Sequence, residues 1–157
     1  RKMKKEKKSI LDKIVEFIFG KPIIVTNSFF GEMTDAGDYY ECRRLFSPTG
    51  RVVEIGLEKK RNGPDEKQIN FFKWLEENYD LVIEKLSPII EKQVSEWIPN
   101  FRIQNFRAEF ILKHLFLPKC DKETFDWEIS FYADNELQHF CSLEMTGMEV
   151  KQILIDG

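Results

Sequence analysis

In residues 124–157 apolar and polar side chains take turns. Trp127, Ile129 and Phe131 alternate with Glu128, Ser130 and Tyr132, and Cys141, Leu143 and Met145 alternate with Ser142 and Glu144. A last stretch, 148–155, follows Thr146-Gly147 and closes at Asp156-Gly157. A period of two sends one set of side chains into a core and the other into water. The segment therefore reads as three consecutive antiparallel strands, whose apolar face needs a cover supplied from elsewhere in the chain.

The first half repeats the theme and then changes period. Residues 22–27 are apolar and β-branched and suit an edge strand, and a second strand starts near Phe29-Phe30-Gly31-Glu32-Met33. Residues 39–46 and 51–58 alternate again, with Tyr40, Cys42 and Phe46 on one face of the first and Val53, Ile55 and Leu57 inward in the second. The turns between them, 35–38 and 47–50, carry Asp, Gly, Ser and Pro. Adjacent rings cannot share a strand face, so one of Phe29 and Phe30 is left for solvent or for the first helix to cover. From Asp65 the apolar positions follow a helical spacing: Phe71, Phe72, Leu75 and Tyr79, then Val82, Leu86, Ile89, Ile90, Val94 and Trp97. Pro88 lacks an amide donor, so it should kink this helix or begin a new one capped by Ser87. Residues 108–117 are apolar on both faces, as for a central strand.

At the start, Ser9 and Asp12 have the spacing of a capping box, and Ile10, Ile14, Phe17 and Ile18 share a helical face that Gly20 and Pro22 terminate. Packing of that face on the domain is the expectation, and a basic membrane-surface helix is the alternative. The whole chain thus reads as one α+β domain, 9–157, preceded by a basic flexible tail, 1–8. It has an antiparallel β-sheet of hairpins and meanders, with helices packed on one face.

Charge and cysteine narrow the partners. Residues 1–8 carry a local +5, which leaves −8 on the remainder of a chain whose formal charge is −3. An acidic body disfavours nucleic acid and suits a basic protein. Cys42, Cys120 and Cys141 are odd in number and widely spaced, unlike a disulfide framework, so a reducing cytoplasm is the expected setting. No apolar run approaches the ~20 residues that span a bilayer, and no membrane partner is expected.

The search for chemistry is mostly negative. No Gly-rich phosphate loop, Gly-x-Ser-x-Gly, His-Glu-x-x-His or Cys-x-x-Cys occurs. His114 and Cys120 with His139 and Cys141, two apart on one strand face, could make four zinc ligands. Their spacing is not that of a zinc motif, and no cofactor or metal is expected. Asp121, Glu123, Asp126 and Glu128 crowd around Trp127; as a set they are the candidate surface for a basic partner.

Several segments carry a resemblance: Phe17-Ile-Phe-Gly-Lys-Pro, Phe29-Phe-Gly-Glu-Met, Asn62-Gly-Pro with Gln68 and Phe71-Phe72, Trp127-Glu-Ile-Ser-Phe, and Ile153-Leu-Ile-Asp-Gly. Together they resemble an uncharacterised group of bacterial α+β domains, similar to the immunity proteins found beside polymorphic toxins. The resemblance implies a bacterial cytoplasmic protein that binds and neutralises a toxin without catalysis, and it supplies no catalytic residue. The alternative is a small hydrolase or metal-dependent enzyme using the acids near Trp127 and a histidine.

Residues 1–8 contain one apolar side chain, Met3, in a self-repelling run of charge. Their deletion should leave the thermal unfolding midpoint nearly unchanged; a large drop would show that the tail docks on the acidic body.

Overall fold

The computed structural model describes residues 9–156, so the tail assigned to residues 1–8 lies outside the described residues. The elements run α1 (Ile10–Phe19), β1 (Ile24–Asn27), β2 (Gly31–Asp35), β3 (Tyr39–Phe46), β4 (Arg51–Glu58), α2 (Glu66–Glu77), α3 (Tyr79–Val94), α4 (Phe106–Glu109), β5 (Phe110–Leu117), β6 (Asp126–Ala133), β7 (Phe140–Thr146) and β8 (Glu149–Asp156). The strands form one sheet in the order β1 to β8. Two four-stranded antiparallel meanders meet at its centre, where β4 and β5 run parallel through the pairs Glu54↔His114 to Leu57↔Leu117. The fold class expected from the sequence, α+β with helices on one face, is the one observed.

The parallel joint explains where the helices go. Antiparallel neighbours can be linked by a tight turn, but parallel neighbours need a crossover. Here α2, α3 and α4 make that crossover and are held against one face of the sheet. That face buries Val53, Ile55, Leu57, Leu115, Trp127, Ile129, Phe131, Cys141, Leu143 and Met145 under Phe72, Leu75, Val82, Leu86, Ile90 and Val94 of the helices. Trp127 is the largest of the fully buried side chains; its ring meets Phe71 edge-on at 5.3 Å and its Nε1 donates to the Gly147 carbonyl at 2.6 Å.

Gln68 fastens the helices to the joint. It is the buried polar side chain of the core, and its amide donates to the carbonyls of Glu58 and Pro118, both at 3.0 Å. These carbonyls lie at the ends of the two parallel strands, so one side chain holds both strand ends to the first turn of α2. Asp65 caps that turn by accepting from the amides of Lys67 and Gln68.

Four expectations need correction. The helical run breaks at Asn78, not at Pro88. Asn78 leaves helical geometry (φ −113°, ψ 20°) while its Nδ2 donates to the Trp74 carbonyl, and Tyr79 restarts the helix as a buried residue. Pro88 is accommodated inside α3, on an exposed position, with the Ser87 hydroxyl donating to the Ile83 carbonyl at 2.8 Å. The strand expected from Ala108 begins at Phe110, because Asn105 caps a single helical turn first. His139 does not share a strand face with Cys141: it precedes β7, its Nδ1 lies 2.6 Å from the Leu137 carbonyl, and Cys141 is buried. Lastly, the capping box of α1 forms as expected, but the helix does not pack on the sheet. Ile10, Ile14, Phe17 and Ile18 are all exposed, because α2 and α3 already fill the apolar face of the sheet.

The Phe29-Phe30 pair resolves differently from either sequence option. Both rings sit in the β1–β2 turn. Phe30 is buried, and Phe29 is half-buried beneath the Arg44 guanidinium, 3.7 Å above its ring centre.

Truncation of a buried aromatic removes both its packing and its transfer free energy. Trp127→Ala should therefore destabilise the fold by roughly 3–5 kcal/mol. Chemical denaturation of the variant checks this, and wild-type stability would refute the role given to the ring.

Candidate protein-binding face

The side chains opposite the helices project from the second face of the sheet, which no helix covers. Strand register sorts them into rows. One row runs Glu41, Gly56, Phe116, Glu128, Glu144 and Gln152; the next runs Arg43, Glu54, His114, Ser130, Ser142 and Leu154. Tyr39 and Glu58 pair at the end of β3–β4, and Tyr132 and Phe140 pair on β6–β7. The result is a surface of carboxylates interleaved with aromatic rings.

Gly56 gives the centre of this face its shape. A Cβ at that position would lie 2.8 Å from the Phe116 ring and 3.6 Å from His114 Nε2. Without one, the Phe116 ring lies across the β4 backbone and meets Tyr39 edge-on at 6.1 Å. The Tyr39 hydroxyl donates to Glu41 at 3.3 Å, and Arg43 pairs with Glu54 at 3.0 Å. Ser130 donates to Ser142 at 2.9 Å.

The face is concave at one side. β2 stays in register with β3 for the pairs Thr34↔Glu41 and Asp35↔Tyr40, and then the two strands part. The opening is a cavity of about 600 Å³ lined by Glu32, Glu41, Arg43, Glu54 and His114 among others. A second hollow, of about 680 Å³, lies at the other end of Phe116 and is lined by Tyr39, Glu58, Asp121 and Asp126. Both hollows are wide open to solvent and carboxylate-rich.

The four acids singled out in the sequence differ in their surroundings. Asp121 is 2.7 Å from Lys60 and 3.5 Å from Lys67, and these contacts hold its carboxyl below the ordinary aspartate value. Asp126 accepts from the Thr146 hydroxyl at 2.6 Å and pairs with Lys151 at 3.1 Å, with the same effect on its carboxyl. Glu123 is exposed beside the apolar cleft of Phe71, Trp74, Phe125 and Met148. Asp126 and Glu128 alternate on the open face of β6, Glu128 opposite Glu144, and Asp121 and Asp126 both line the second hollow. Density along the sequence pointed to these acids; the lysines that pair with two of them come from residues 60, 67 and 151, too distant for spacing to reveal. The acids that share the open face, Glu32, Glu41, Glu54, Glu58, Asp126, Glu128 and Glu144, are dispersed over five strands. Their common signal is the outward position in each period-two pattern.

No group of three or more His, Cys, Asp or Glu side chains among the described residues is placed to hold a metal ion. The three thiols are free and buried, and burial pushes Cys42 up to about 11 and Cys120 and Cys141 up to about 12. They are therefore protonated and poor nucleophiles at neutral pH. His114 lies between Glu54 and Ser130 in the strand register, but no hydrogen bond joins it to either among the described residues.

No protein-family model matches the chain, and the searches against characterised proteins and solved structures return no relative. No helix among the described residues is long and apolar enough to cross a membrane.

The lysine pairs set an acid limb to stability. The carboxyls of Asp121, Asp126 and Asp35 are lowered from 3.8 in the folded chain, chiefly by hydrogen bonds from Lys60, Thr146 and Lys59 respectively. A lowered folded value contributes stability above the unfolded value, and that contribution is lost as pH falls through the folded one. Stability should therefore decline as pH falls below about 4. Asp121→Asn with Asp126→Asn should be less stable than wild type near neutrality and show a flatter acid limb. Equal slopes in urea denaturation across that range would contradict the pairing.

Proposed function

We propose that the chain is a non-enzymatic binding protein whose open sheet face receives a basic protein. The observation that carries the reading is the uncovered face itself, where Glu32, Glu41, Glu54, Glu58, Glu128 and Glu144 surround Tyr39 and Phe116. Such a surface offers aromatic anchors at its centre and negative charge around them, which is how a protein interface gains both affinity and a fast encounter with a cationic partner. Nucleic acid would be repelled by the same charge. We assign the chain to the bacterial cytoplasm, where three protonated, buried thiols persist without disulfides. Its role there is that of an immunity protein, occluding a basic toxin. The resemblance described above supports that finer assignment.

The enzyme alternative has less to work with. It requires a histidine aligned by hydrogen bonds and converging acids. His114 lacks such bonds among the described residues, and two of the acids near Trp127 are engaged by lysine.

The test is affinity capture by the tagged chain in parallel with a Glu41→Lys, Glu54→Lys, Glu128→Lys variant of unchanged thermal midpoint, followed by on-rate measurement with the captured protein. A basic protein should be retained by the native chain and lost by the variant. Its association should slow as salt rises, since charges act over only about 8 Å at physiological ionic strength. A partner whose on-rate ignores both salt and charge reversal would remove the open face from the mechanism. Turnover of a small substrate, abolished by His114→Ala alone, would replace binding with catalysis.

A further inference from the structure

The apolar face of α1 has no cover among the described residues. Ile10, Leu11, Ile14, Val15, Phe17 and Ile18 are exposed, Phe17 at 92%. At 3.6 residues per turn they occupy roughly half the helix circumference. Asp12, Lys13 and Glu16 lie on the remaining arc. The helix forms on local terms, with Ser9 and Asp12 exchanging hydrogen bonds at its start and Gly20 (φ 82°) ending it. The apolar surface continues past the helix through Ile23 and Ile24, both also exposed. Large apolar side chains exposed together on one helix face mark an interaction site.

Charge says what covers it. The eight residues before Ser9 carry +5, and on residues 9–21 Lys13 and Lys21 balance Asp12 and Glu16, so the +5 stands for the whole stretch 1–21. The rest of the body is acidic. A helix that is apolar over a broad arc and flanked by clustered lysines fits the boundary of an anionic bilayer, where the side chains enter the acyl region and the lysines meet phosphate and carboxylate headgroups. A second copy of the chain fits less well. Pairing two such helices covers a narrower stripe of each and brings two lysine clusters together. We infer that α1, with its flanking basic residues, is an interfacial anchor that lays the chain on an anionic lipid surface. At ten residues α1 is too short to span, so the contact is with one leaflet only.

The geometry also separates this surface from the open sheet face. The anchor is cationic and apolar, the sheet face anionic and aromatic, and a negatively charged membrane would repel the second while holding the first. Lipid binding stands independently of the partner proposed above.

Co-sedimentation of the full chain with vesicles of phosphatidylcholine, with and without phosphatidylserine, tests the anchor. Binding is expected to the anionic vesicles and to be at least about tenfold weaker on the neutral ones, because the basic run and the apolar face act together. Ile14→Asp with Phe17→Asp should abolish binding, and replacement of Lys2, Lys4, Lys5, Lys7 and Lys8 by Gln should weaken it and remove its salt sensitivity. Since the substituted side chains are exposed, the thermal midpoint should not move, and its measurement separates lost anchoring from lost folding. No binding to anionic vesicles, or undiminished binding by the double Asp variant, overturns the inference. So does self-association in the absence of vesicles that the double Asp variant abolishes, which would assign the face to a second copy.

Discussion

The parallel pairing of β4 with β5 is the constraint from which the architecture follows. Every other neighbouring pair of strands is antiparallel and is joined directly, by two to eight residues. At the centre the chain must return to the starting end of the sheet before it can lay down β5, and residues 59–109 are what it uses to do so. Because the returning segment is helical and amphipathic, it covers one face. Gln68 then ties the ends of both parallel strands to α2 through two amide hydrogen bonds. A buried amide is costly unless paired; here its nitrogen is paired where the two meanders join, while its Oε1 has no partner among the described residues. One crossover covers one face, so the opposite face stays open. The asymmetry that leaves one face uncovered is thus a consequence of topology.

Within the open face the chemistry depends on a residue with no side chain. Gly56 lets Phe116 lie flat over β4, and the ring forms part of the wall of the second hollow. A methyl group there would collide with the ring at 2.8 Å. The ring would have to lift, and the central aromatic contact with Tyr39 would be lost. Binding faces depend on such rigid, centrally placed aromatic anchors, with polar groups around them.

Much of the fold was legible because period-two alternation is a direct imprint of a half-buried strand. Residues 39–46, 51–58 and 127–131 carry that imprint and form strands. What was not legible depended on contacts remote in sequence. The break at Asn78 is set by burial of Tyr79 against Phe46, 5.0 Å between ring centres, whereas Pro88 is a strong local signal that tertiary packing overrides. The α1 face looked like core because four apolar residues at helical spacing usually are; only the filled sheet face shows that there is no place for it. The acidic set around Trp127 was conspicuous by proximity along one segment, and its lysine partners are 54 to 61 residues away or on β8. The acids of the open face are separated by strands and turns, so nothing short of the register could assemble them.

The edges of the sheet bear on which surface a partner can use. An uncovered strand edge invites pairing with another chain, and proteins blunt such edges with short strands, charge, proline and bulges. Here β1 has four residues and is preceded by Lys21-Pro22. At the other edge β8 carries Glu149, Lys151, Gln152 and Asp156, and its register with β7 shifts between Glu144 and Met145. Lys151 is drawn inward across that irregularity to Asp126 and Glu144. Strand addition is therefore disfavoured at both ends of a sheet whose broad face is open. A partner that docks on this chain meets side chains, not a backbone ladder, and so must complement the charge and the rings. That is the condition under which specificity comes from side-chain chemistry, and it follows from the same turns and bulges that keep the sheet from pairing edge to edge.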